Sequence, residues 1–360
     1  MSKLDIISVV GARPQFIKAA PVSRALRSSH NEILVHSGQH YDYAMSDVFF
    51  EQLGIPKPDY NLAVGSGGHA RQTGEMMPLL EELYLERSPD LVLVYGDTNT
   101  TLAAGLAAAK VGIPVAHVEA GLRSFNRSMP EEINRVLVDH ISELLMCPTR
   151  ASVANLAAEG ITNGVHLVGD VMLDTARFFA EGSDATPVLE SLGLKPRDFY
   201  LATVHRAGNS DSNSRLSGIV EAFSRLDKPV VWAIHPRTRK NLEAFGLMGT
   251  VDSSAGIRAV EPLSYMDTVA LLRSSAALLT DSGGMQKEAY FFGVPCVTLR
   301  EETEWIETVE LGWNRLAGAD CGRILDAVAS ISQPPTRPDV YGDGHAAEAI
   351  VAAIDRRFAD

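Results

Sequence analysis

Three acidic residues follow strand-like runs in the first half of the chain and are candidates for proton-transfer chemistry. Asp97 lies in Gly-Asp-Thr-Asn-Thr-Thr, Glu119 in His-Val-Glu-Ala-Gly-Leu-Arg and Glu131 in Met-Pro-Glu-Glu-Ile-Asn-Arg. Asp97 and Glu119 come just past consecutive predicted strands, at the edge where α/β folds build their sites, and this placement favours a role in chemistry. Glu131 also suits the first turn of a helix after proline, so its residue type alone leaves a catalytic and a helix-terminal role open.

The first strand-like run leads into a turn that suits an anionic ligand. The segment Gly-Ala-Arg-Pro-Gln-Phe-Ile-Lys puts Arg13 and Lys18 near the start of a predicted helix. A helix N-terminus with nearby cations favours a diphosphate, although two solvated helix charges would explain the same residues equally well. The segment is not a G-x-G-x-x-G fingerprint, so we expect no dinucleotide redox cofactor.

A second turn of this kind follows a strand-like run in the other half of the chain. There Asp-Ser-Gly-Gly opens a predicted helix, and Ser282, Gly283 and Gly284 would let backbone N–H groups approach a phosphate. Glu288 lies further along that helix, where it is placed to accept hydrogen bonds from a ribose diol. The alternative is a plain strand-to-helix turn without a ligand.

Two histidines also follow predicted strands of the second half, and each has an arginine close behind it. His205 stands in Thr-Val-His-Arg and His235 in Ile-His-Pro-Arg. Such a pair suits an anion clamp, whereas a lone histidine is more often structural. No His, Cys, Asp and Glu spacing resembles a metal-ligand set, and we therefore expect no metal.

These residues need strands and helices that alternate along the chain to position them. Short runs rich in β-branched residues, each followed by a turn and a helical pattern, predict βαβ units and parallel sheets. The predicted strands are Leu4–Val10, Glu32–His36, Leu91–Tyr95, Pro114–Val118, Leu144–Cys147, Phe199–Val204, Val230–Ile234, Ile257–Val260, Ala276–Thr280 and Cys296–Leu299. We assign residues 1–175 and 176–344 to two Rossmann-like domains, the second of which binds a nucleotide.

Composition narrows the class of protein further. The 360 residues suit two domains, and 46% hydrophobic with 21% charged residues is typical of a globular chain. The net charge of −13 disfavours nucleic acid and anionic membranes as partners. Three scattered cysteines and no signal-peptide pattern lead us to expect a cytoplasmic protein.

Taken together, the segments resemble the non-hydrolysing UDP-N-acetylglucosamine 2-epimerases, almost from end to end. The segments that carry the resemblance are residues 11–18, Ser-Gly-Gln-His at 37–40, Gly-Asp-Thr at 96–98, 117–123, Pro-Glu-Glu-Ile-Asn-Arg at 130–135, His-Arg at 205–206, 281–289 and Tyr-Gly-Asp-Gly at 341–344. Each is weak singly, and their order makes the set specific.

The resemblance implies two Rossmann-like domains in the glycosyltransferase-B arrangement, with the active site in the interdomain cleft. It also implies a homodimer and a C-terminal helix, about 345–360, that packs back on the first domain. The implied ligand is a UDP-sugar, held at its diphosphate by Arg13, Lys18, His205, Ser282, Gly283, Gly284 and Arg300 and at its ribose by Glu288. The implied acid–base residues are Asp97, Glu119 and Glu131, with His205 beside them.

The family reaction implied by this likeness inverts C2 of UDP-GlcNAc to give UDP-ManNAc. UDP is eliminated to form a 2-acetamidoglucal and then re-added, with no cofactor. Carboxylates and cations suit these proton transfers and the leaving diphosphate, but the sequence leaves open which carboxylate is the base.

Several positions depart from the common family pattern and leave alternatives open. Gly208 stands where Glu is usual, and Asp42 where many members have a Gln linked to activation by a second substrate molecule. Gln15, Lys287 and Thr-Glu-Trp at 303–305 resemble instead the branch acting on UDP-2,3-diacetamido-2,3-dideoxyglucuronate. If the substrate is that uronate, Lys287 and Arg127 are candidate partners of its carboxylate. A hydrolysing epimerase, a glycosyltransferase and an inactive nucleotide-sugar sensor are the less favoured alternatives.

Overall fold

The computed structural model of the chain describes residues 3–39, 50, 54–182 and 184–359. Asp42 therefore lies outside the described residues. The chain separates into two compact units, one of Met1–Thr175 with Asp339–Asp360 and one of Ala176–Pro338. No helix within the described ranges has the length and apolar character needed to cross a membrane.

Each unit is built on a parallel β-sheet. The strands of the first unit are β1 (Asp5–Val10), β2 (Asn31–His36), β3 (Tyr60–Asn61), β4 (Leu91–Tyr95), β5 (Val115–Val118), β6 (Leu144–Cys147) and β7 (Val165–Leu167). Those of the second are β8 (Tyr200–Thr203), β9 (Val230–Ala233), β10 (Ile257–Val260), β11 (Ala277–Thr280), β12 (Cys296–Thr298) and β13 (Asn314–Leu316).

Helices connect the strands along the chain. They are α1 (Arg13–Ser29), α2 (His69–Arg87), α3 (Asn99–Lys110), α4 (Pro130–Ile141), α5 (Arg150–Ala158), α6 (Val171–Gly182), α7 (Thr186–Ser191), α8 (Ala207–Ser210), α9 (Asn213–Arg225), α10 (Pro236–Ala244), α11 (Met248–Ser253), α12 (Tyr265–Ser274), α13 (Gly283–Phe291), α14 (Ile306–Glu310), α15 (Cys321–Ser330) and α16 (Ala346–Phe358). Helix α16 packs against α1 within the first unit.

The core strands form where the sequence predicts them. β4 reads Leu-Val-Leu-Val-Tyr and is buried along its whole length, as is expected of a central parallel strand covered on both faces. Small residues in α3 let that helix pack closely, and Ala103, Ala104, Ala107 and Ala108 contribute to the same core as β4. In the second unit, the two faces of the sheet are covered by separate clusters that include Trp232 on one side and Phe199 on the other.

Strand order fixes where each sheet can hold a ligand. The first sheet runs β3-β2-β1-β4-β5-β6-β7 and the second β10-β9-β8-β11-β12-β13. The chain therefore changes direction across the sheet between β1 and β4 in the first unit and between β8 and β11 in the second. In parallel α/β sheets, ligands bind outside the carboxyl ends of the strands at such switch points.

The ten predicted strands are confirmed, and most differ from the observed bounds by one residue at an end. Strands β3, β7 and β13 were not predicted. They are two or three residues long and are mainly partly exposed, so they lack the buried apolar run that marks the other strands.

Candidate active site

The candidate residues of the first unit gather at its switch point. Lys18 lies on α1, which follows β1, whereas Asp97 and Glu119 come directly after β4 and β5. β4 and β5 are paired in register, with Tyr95 opposite Val118, so the two acid-bearing turns leave the sheet side by side.

Lys18 and Glu119 form a buried ion pair across this edge. Nζ of Lys18 contacts Oε2 of Glu119, and the two residues are only 7% and 9% exposed. Gly96 lies against the pair, because a Cβ built at that position would approach Lys18 Nζ to 3.0 Å and Glu119 Oε2 to 3.3 Å. Gly96 has a φ of 63° and carries no side chain, so the ion pair can occupy the space where a Cβ would otherwise lie.

Asp97 is held by the helix that follows Glu119 in the chain. Nη2 of Arg135 on α4 contacts Oδ2 of Asp97, and Nδ2 of Asn134 donates to the Asp97 carbonyl at 2.9 Å. Nη1 of Arg135 also contacts Glu132 at 3.0 Å. The carboxylate of Glu132 accepts hydrogen bonds from the N–H groups of Ser124 and Phe125, both at 2.9 Å, and so fixes the loop before α4.

Glu131 lies in the first turn of α4, partly exposed and without a hydrogen bond or ion pair to the other described residues. Helical spacing puts it on the same face as Asn134 and Arg135, the two residues that contact Asp97. The structure thus brings Glu131 to the edge that carries Asp97 and Glu119.

The turn after β1 is locked from inside the protein. Arg13 is the first residue of α1, and the structure describes its backbone only. Gln15 accepts hydrogen bonds from Gly11 N at 2.9 Å and Ala12 N at 3.0 Å, and its amide nitrogen donates to the Tyr95 carbonyl at 2.9 Å. An ionised glutamate cannot make that last donation, so the residue type at position 15 is explained by local structure.

The second unit has a corresponding arrangement centred on Asp281, directly after β11. Its buried carboxylate accepts hydrogen bonds from His205 N at 3.0 Å and Arg206 N at 3.1 Å, and its Oδ1 lies 3.6 Å from His205 Nδ1. Asn209 adds a further donor at 3.1 Å. The backbone after β8 is thus fastened to the turn after β11, and the half-exposed His205 ring stands at the switch point.

The turn formed by Ser282, Gly283 and Gly284 begins α13, with the Ser282 side chain capping the helix at Met285 N. A Cβ at Gly283 would meet its nearest neighbour, Trp305 Nε1, at 3.4 Å, which is an ordinary contact. The protein's own packing therefore does not demand glycine there. A ligand close to the backbone would supply a reason.

Glu288 and Arg300 are each engaged with another side chain. Glu288 is 3% exposed and accepts a hydrogen bond from the Tyr265 hydroxyl at 2.9 Å. Arg300 makes a two-pronged pair with Glu304 at 3.0 and 3.1 Å. Burial raises the pKa of Glu304, but Arg300 outweighs that effect and holds the pKa below its ordinary value.

The structure shows what surrounds Lys287 and Gly208, two residues that depart from the family pattern. Lys287, a predicted partner for a uronate carboxylate, does not face solvent: it is 1% exposed, and its Nζ lies 4.1 Å from the Trp305 ring centroid. Arg127 is exposed. Gly208 is exposed in α8, and no described atom lies within 4 Å of the position that a Cβ would take.

Several supporting residues were not predicted from the sequence. Asp281, Glu132 and Tyr265 organise the site, as do His117 and Asp139. The Arg300–Glu304 and Glu132–Arg135 pairs have a recognisable signal, the i,i+4 or i,i+3 spacing of opposite charges. The partners of Asp281, Tyr265, His117 and Asp139 come from more distant parts of the chain. Among the residues that the structure describes, no group of three or more His, Cys, Asp and Glu side chains is arranged to hold a metal ion.

Comparison of the chain with known proteins shows which family it belongs to. The family model described as UDP-N-acetylglucosamine 2-epimerase matches residues 24–355. A UDP-N-acetylglucosamine 2-epimerase homolog of Methanococcus maripaludis is 47% identical over 98% of this chain and 99% of its own. The UDP-2,3-diacetamido-2,3-dideoxy-D-glucuronate 2-epimerase of Pseudomonas aeruginosa is also 47% identical, over 96% of this chain and 98% of its own.

A solved structure gives the same answer for the fold. The Methanocaldococcus jannaschii UDP-GlcNAc 2-epimerase, crystallised with UDP-GlcNAc and UDP, matches at a TM-score of 0.89 and 41% identity, covering 98% of this chain and all of that one. This likeness confirms the predicted α/β class with two Rossmann-like sheets of the glycosyltransferase-B type. The chain therefore belongs to the UDP-N-acetylglucosamine 2-epimerase family of isomerases.

Proposed function

We propose that this protein interconverts UDP-GlcNAc and UDP-ManNAc by eliminating and re-adding UDP. The observation that carries the proposal is the set of carboxylates at the first switch point, where Glu119 is paired with Lys18 and Asp97 with Arg135. The M. jannaschii relative, crystallised with UDP-GlcNAc and UDP, supports the substrate class. Acids held next to cations suit a reaction that moves one proton and releases an anion.

In the proposed complex, residues at both helix-starting turns bind the nucleotide. In the first unit, we assign Arg13 and Lys18 to phosphate binding. In the second unit, we assign Arg300, the N–H groups at positions 282–284 and the His205 ring to phosphate binding. The buried Glu288 carboxylate, oriented by Tyr265, accepts a hydrogen bond from the ribose.

The chemical step then needs one base and one acid. A carboxylate takes the proton from C2, the C–H electron pair forms the C1–C2 double bond, and the C1–O bond breaks to release UDP. UDP then adds back to C1 of the 2-acetamidoglucal while C2 is protonated on its other face. We assign the base role to the ion-paired Asp97 or Glu119 and the proton-donor role to Glu131, which has no cation partner among the described residues.

The second candidate substrate is UDP-2,3-diacetamido-2,3-dideoxyglucuronate, since the Pseudomonas relative named for it is as similar as any other reported above. The residues that resembled that branch do not favour it in the structure. The Gln15 amide donates a hydrogen bond to the Tyr95 carbonyl, and Lys287 is buried with its Nζ over the Trp305 ring. We therefore keep UDP-GlcNAc as the first substrate to test.

The test is to incubate the purified protein separately with the two nucleotide sugars in D2O and follow their anomeric and C2 protons by NMR. We expect UDP-GlcNAc to give UDP-ManNAc with deuterium at C2. Brisk turnover of the uronate alone would move the assignment to the second substrate. Retention of protium at C2, with no glycal formed, would exclude the elimination route.

Variants connect the reaction to the site. We expect Asp97→Asn, Glu119→Gln and Glu131→Gln each to lower kcat at least about a hundredfold, the usual scale for positioned acid–base groups. Glu81→Gln, at an exposed position on α2, is the control for removing a carboxylate and should react at the wild-type rate. Near wild-type rates in the three site variants would show that the site is assigned wrongly.

A further inference from the structure

A connected group of charged side chains lies next to the acid-bearing turns of the first unit. We refer to His117, Asp139, Arg123 and Glu159 as the charge cluster. His117 is on β5, two residues before Glu119, and its side chain and that of Asp139 are 0% exposed. The Arg123 side chain is 1% exposed, and Glu159 closes the cluster towards solvent.

Both ring nitrogens of His117 face hydrogen-bond acceptors. Nδ1 lies 2.7 Å from Oδ1 of Asp139, and Nε2 lies 2.7 Å from the carbonyl oxygen of Gly96. A carbonyl can only accept, so Nε2 carries a proton. Oδ2 of Asp139 already accepts from Arg123 Nη1 at 2.7 Å and Gly121 N at 3.1 Å, an environment that favours the ionised carboxylate. Nδ1 therefore carries a proton as well.

The charges within the cluster balance. Burial alone raises the pKa of Asp139, but His117 and Arg123 together hold that pKa below its ordinary value. Arg123 also makes a two-pronged pair with Glu159 at 2.6 and 2.8 Å, which lowers the pKa of that carboxyl. Two cations thus face two anions, as a buried ionic group requires.

Two further titratable groups face the cluster: His140 on α4, whose Nδ1 lies 3.9 Å from Oε2 of Glu159 at the solvent side, and Cys147 on the neighbouring strand β6. Burial first, and then the nearby Asp139 charge, raise the pKa of the Cys147 thiol to about 12. This thiol is therefore neutral near pH 7 and does not alter the charge balance of the cluster.

We propose that His117 is a buried imidazolium and acts as a positioning residue for the two carboxylates, a role that rests on the proposed function. Its Nε2 holds the Gly96 carbonyl, directly before Asp97. Gly96 N in turn donates to the Val118 carbonyl at 2.9 Å, directly before Glu119. One ring thereby joins the ends of β4 and β5.

Backbone conformation shows why such a support is needed. Glu119 has a φ of 72°, in the left-handed region that costs a residue with a side chain about 1–2 kcal/mol. Such a conformation persists when its surroundings enforce it. The bond from Glu119 N to the Met146 carbonyl at 3.1 Å and the His117–Asp139 pair hold the backbone on both sides.

The first test is spectroscopic and uses the wild-type protein without substrate. With 15N-labelled histidine at neutral pH, we expect one ring whose two nitrogens both resonate as protonated. His117→Gln should remove this pair of signals, and His345→Gln, at an exposed position before α16 and away from the cluster, should leave it. A neutral His117 ring in the wild type would overturn the assignment.

The second test separates the two hydrogen bonds of the ring by kinetics. In His117→Gln the amide nitrogen reaches the place of Nε2 and keeps a donor for Gly96, whereas in His117→Asn it reaches the place of Nδ1 and keeps only the bond to Asp139. We expect kcat to fall about a hundredfold in the Asn variant and about tenfold in the Gln variant, with KM within about threefold of wild type.

The outcomes distinguish this inference from the proposed function. Equal losses in both variants, or losses confined to KM, would contradict the positioning role while wild-type turnover still supports the epimerase. If the wild type turns over neither nucleotide sugar, the proposed function fails, and the NMR result still decides whether His117 is an imidazolium. If His117→Asn does not fold, Asp139→Asn serves in its place, with the imidazolium signals expected to disappear and kcat to fall at least about tenfold.

Discussion

Gly96→Ala is the sharpest perturbation that the first switch point offers. The new methyl group would lie 3.0 Å from Lys18 Nζ, about 0.4 Å short of an ordinary van der Waals contact, and 3.3 Å from Glu119 Oε2. The substitution also places a side chain at a φ of 63°, which costs about 1–2 kcal/mol of stability. Because the two contacted atoms form the buried ion pair, relief of the clash must displace that pair.

The size of the effect on turnover follows from that displacement. A misplacement of about 1 Å in a catalytic group can reduce the rate about a hundredfold, so a shift of a few tenths of an ångström predicts a loss of about tenfold in kcat. Substrate binding depends on many other contacts, and we expect KM to change less than kcat.

A matched control separates backbone strain from the displacement of the pair. Gly112 has a similar φ of 76°, but no atom lies within 4 Å of its Cβ position. Urea unfolding should therefore show the loss from backbone strain in both variants and a further loss from the displaced ion pair in Gly96→Ala. Steady-state assays with UDP-GlcNAc should show slow turnover only for Gly96→Ala. Equal turnover in the two variants would refute the role assigned to Gly96.

Three other changes test parts of the site and of the first unit. Tyr265→Phe removes the hydroxyl that donates a hydrogen bond to the buried Glu288 carboxylate. We expect calorimetry to show a rise of about tenfold in the Kd for UDP, because this is the scale of a hydrogen bond to a charged group. An unchanged Kd would argue against a nucleotide contact at this carboxylate. Burial raises the pKa of Asp174 to about 6, against the opposing hydrogen bonds from the start of α16, so the folded state binds this proton more tightly than the unfolded state does. The stabilisation from this bound proton is fully present below about pH 4 and is lost as the pH rises through 6, by up to about 3 kcal/mol. In Asp174→Asn, this pH-dependent change in the free energy of unfolding should be absent. Curves of unfolding free energy against pH that run parallel in the wild type and the variant would contradict the prediction. Arg300→Met leaves the partly buried Glu304 carboxylate without its two-pronged partner, with only the charge of Arg206 acting on it. We expect a loss of stability of about 1–3 kcal/mol in urea unfolding together with weaker UDP binding, whereas wild-type stability would show that the pair is dispensable.

The sequence by itself determined the two parallel sheets and the ends of the strands where the site forms. Short apolar runs rich in β-branched residues, such as β4, are each followed by a turn and a helical pattern, and this alternation indicates parallel strands. The acids that follow the neighbouring strands β4 and β5 must then lie at one edge. The family was also predicted correctly from the order of the short segments. Strands β3, β7 and β13 escaped prediction because two or three partly exposed residues carry too little periodicity.

Only the tertiary structure decided which side chains support one another. Lys18 meets Glu119 across 101 positions of the chain, and His205 N meets Asp281 across 76. Lys287 has the residue type of a surface cation, yet it is buried over Trp305. Local sequence determines which strands and turns can form, because propensity and periodicity act over a few residues. The pairing of distant side chains depends on strand register and on how closely packed elements approach each other, and these arise only once the chain has folded.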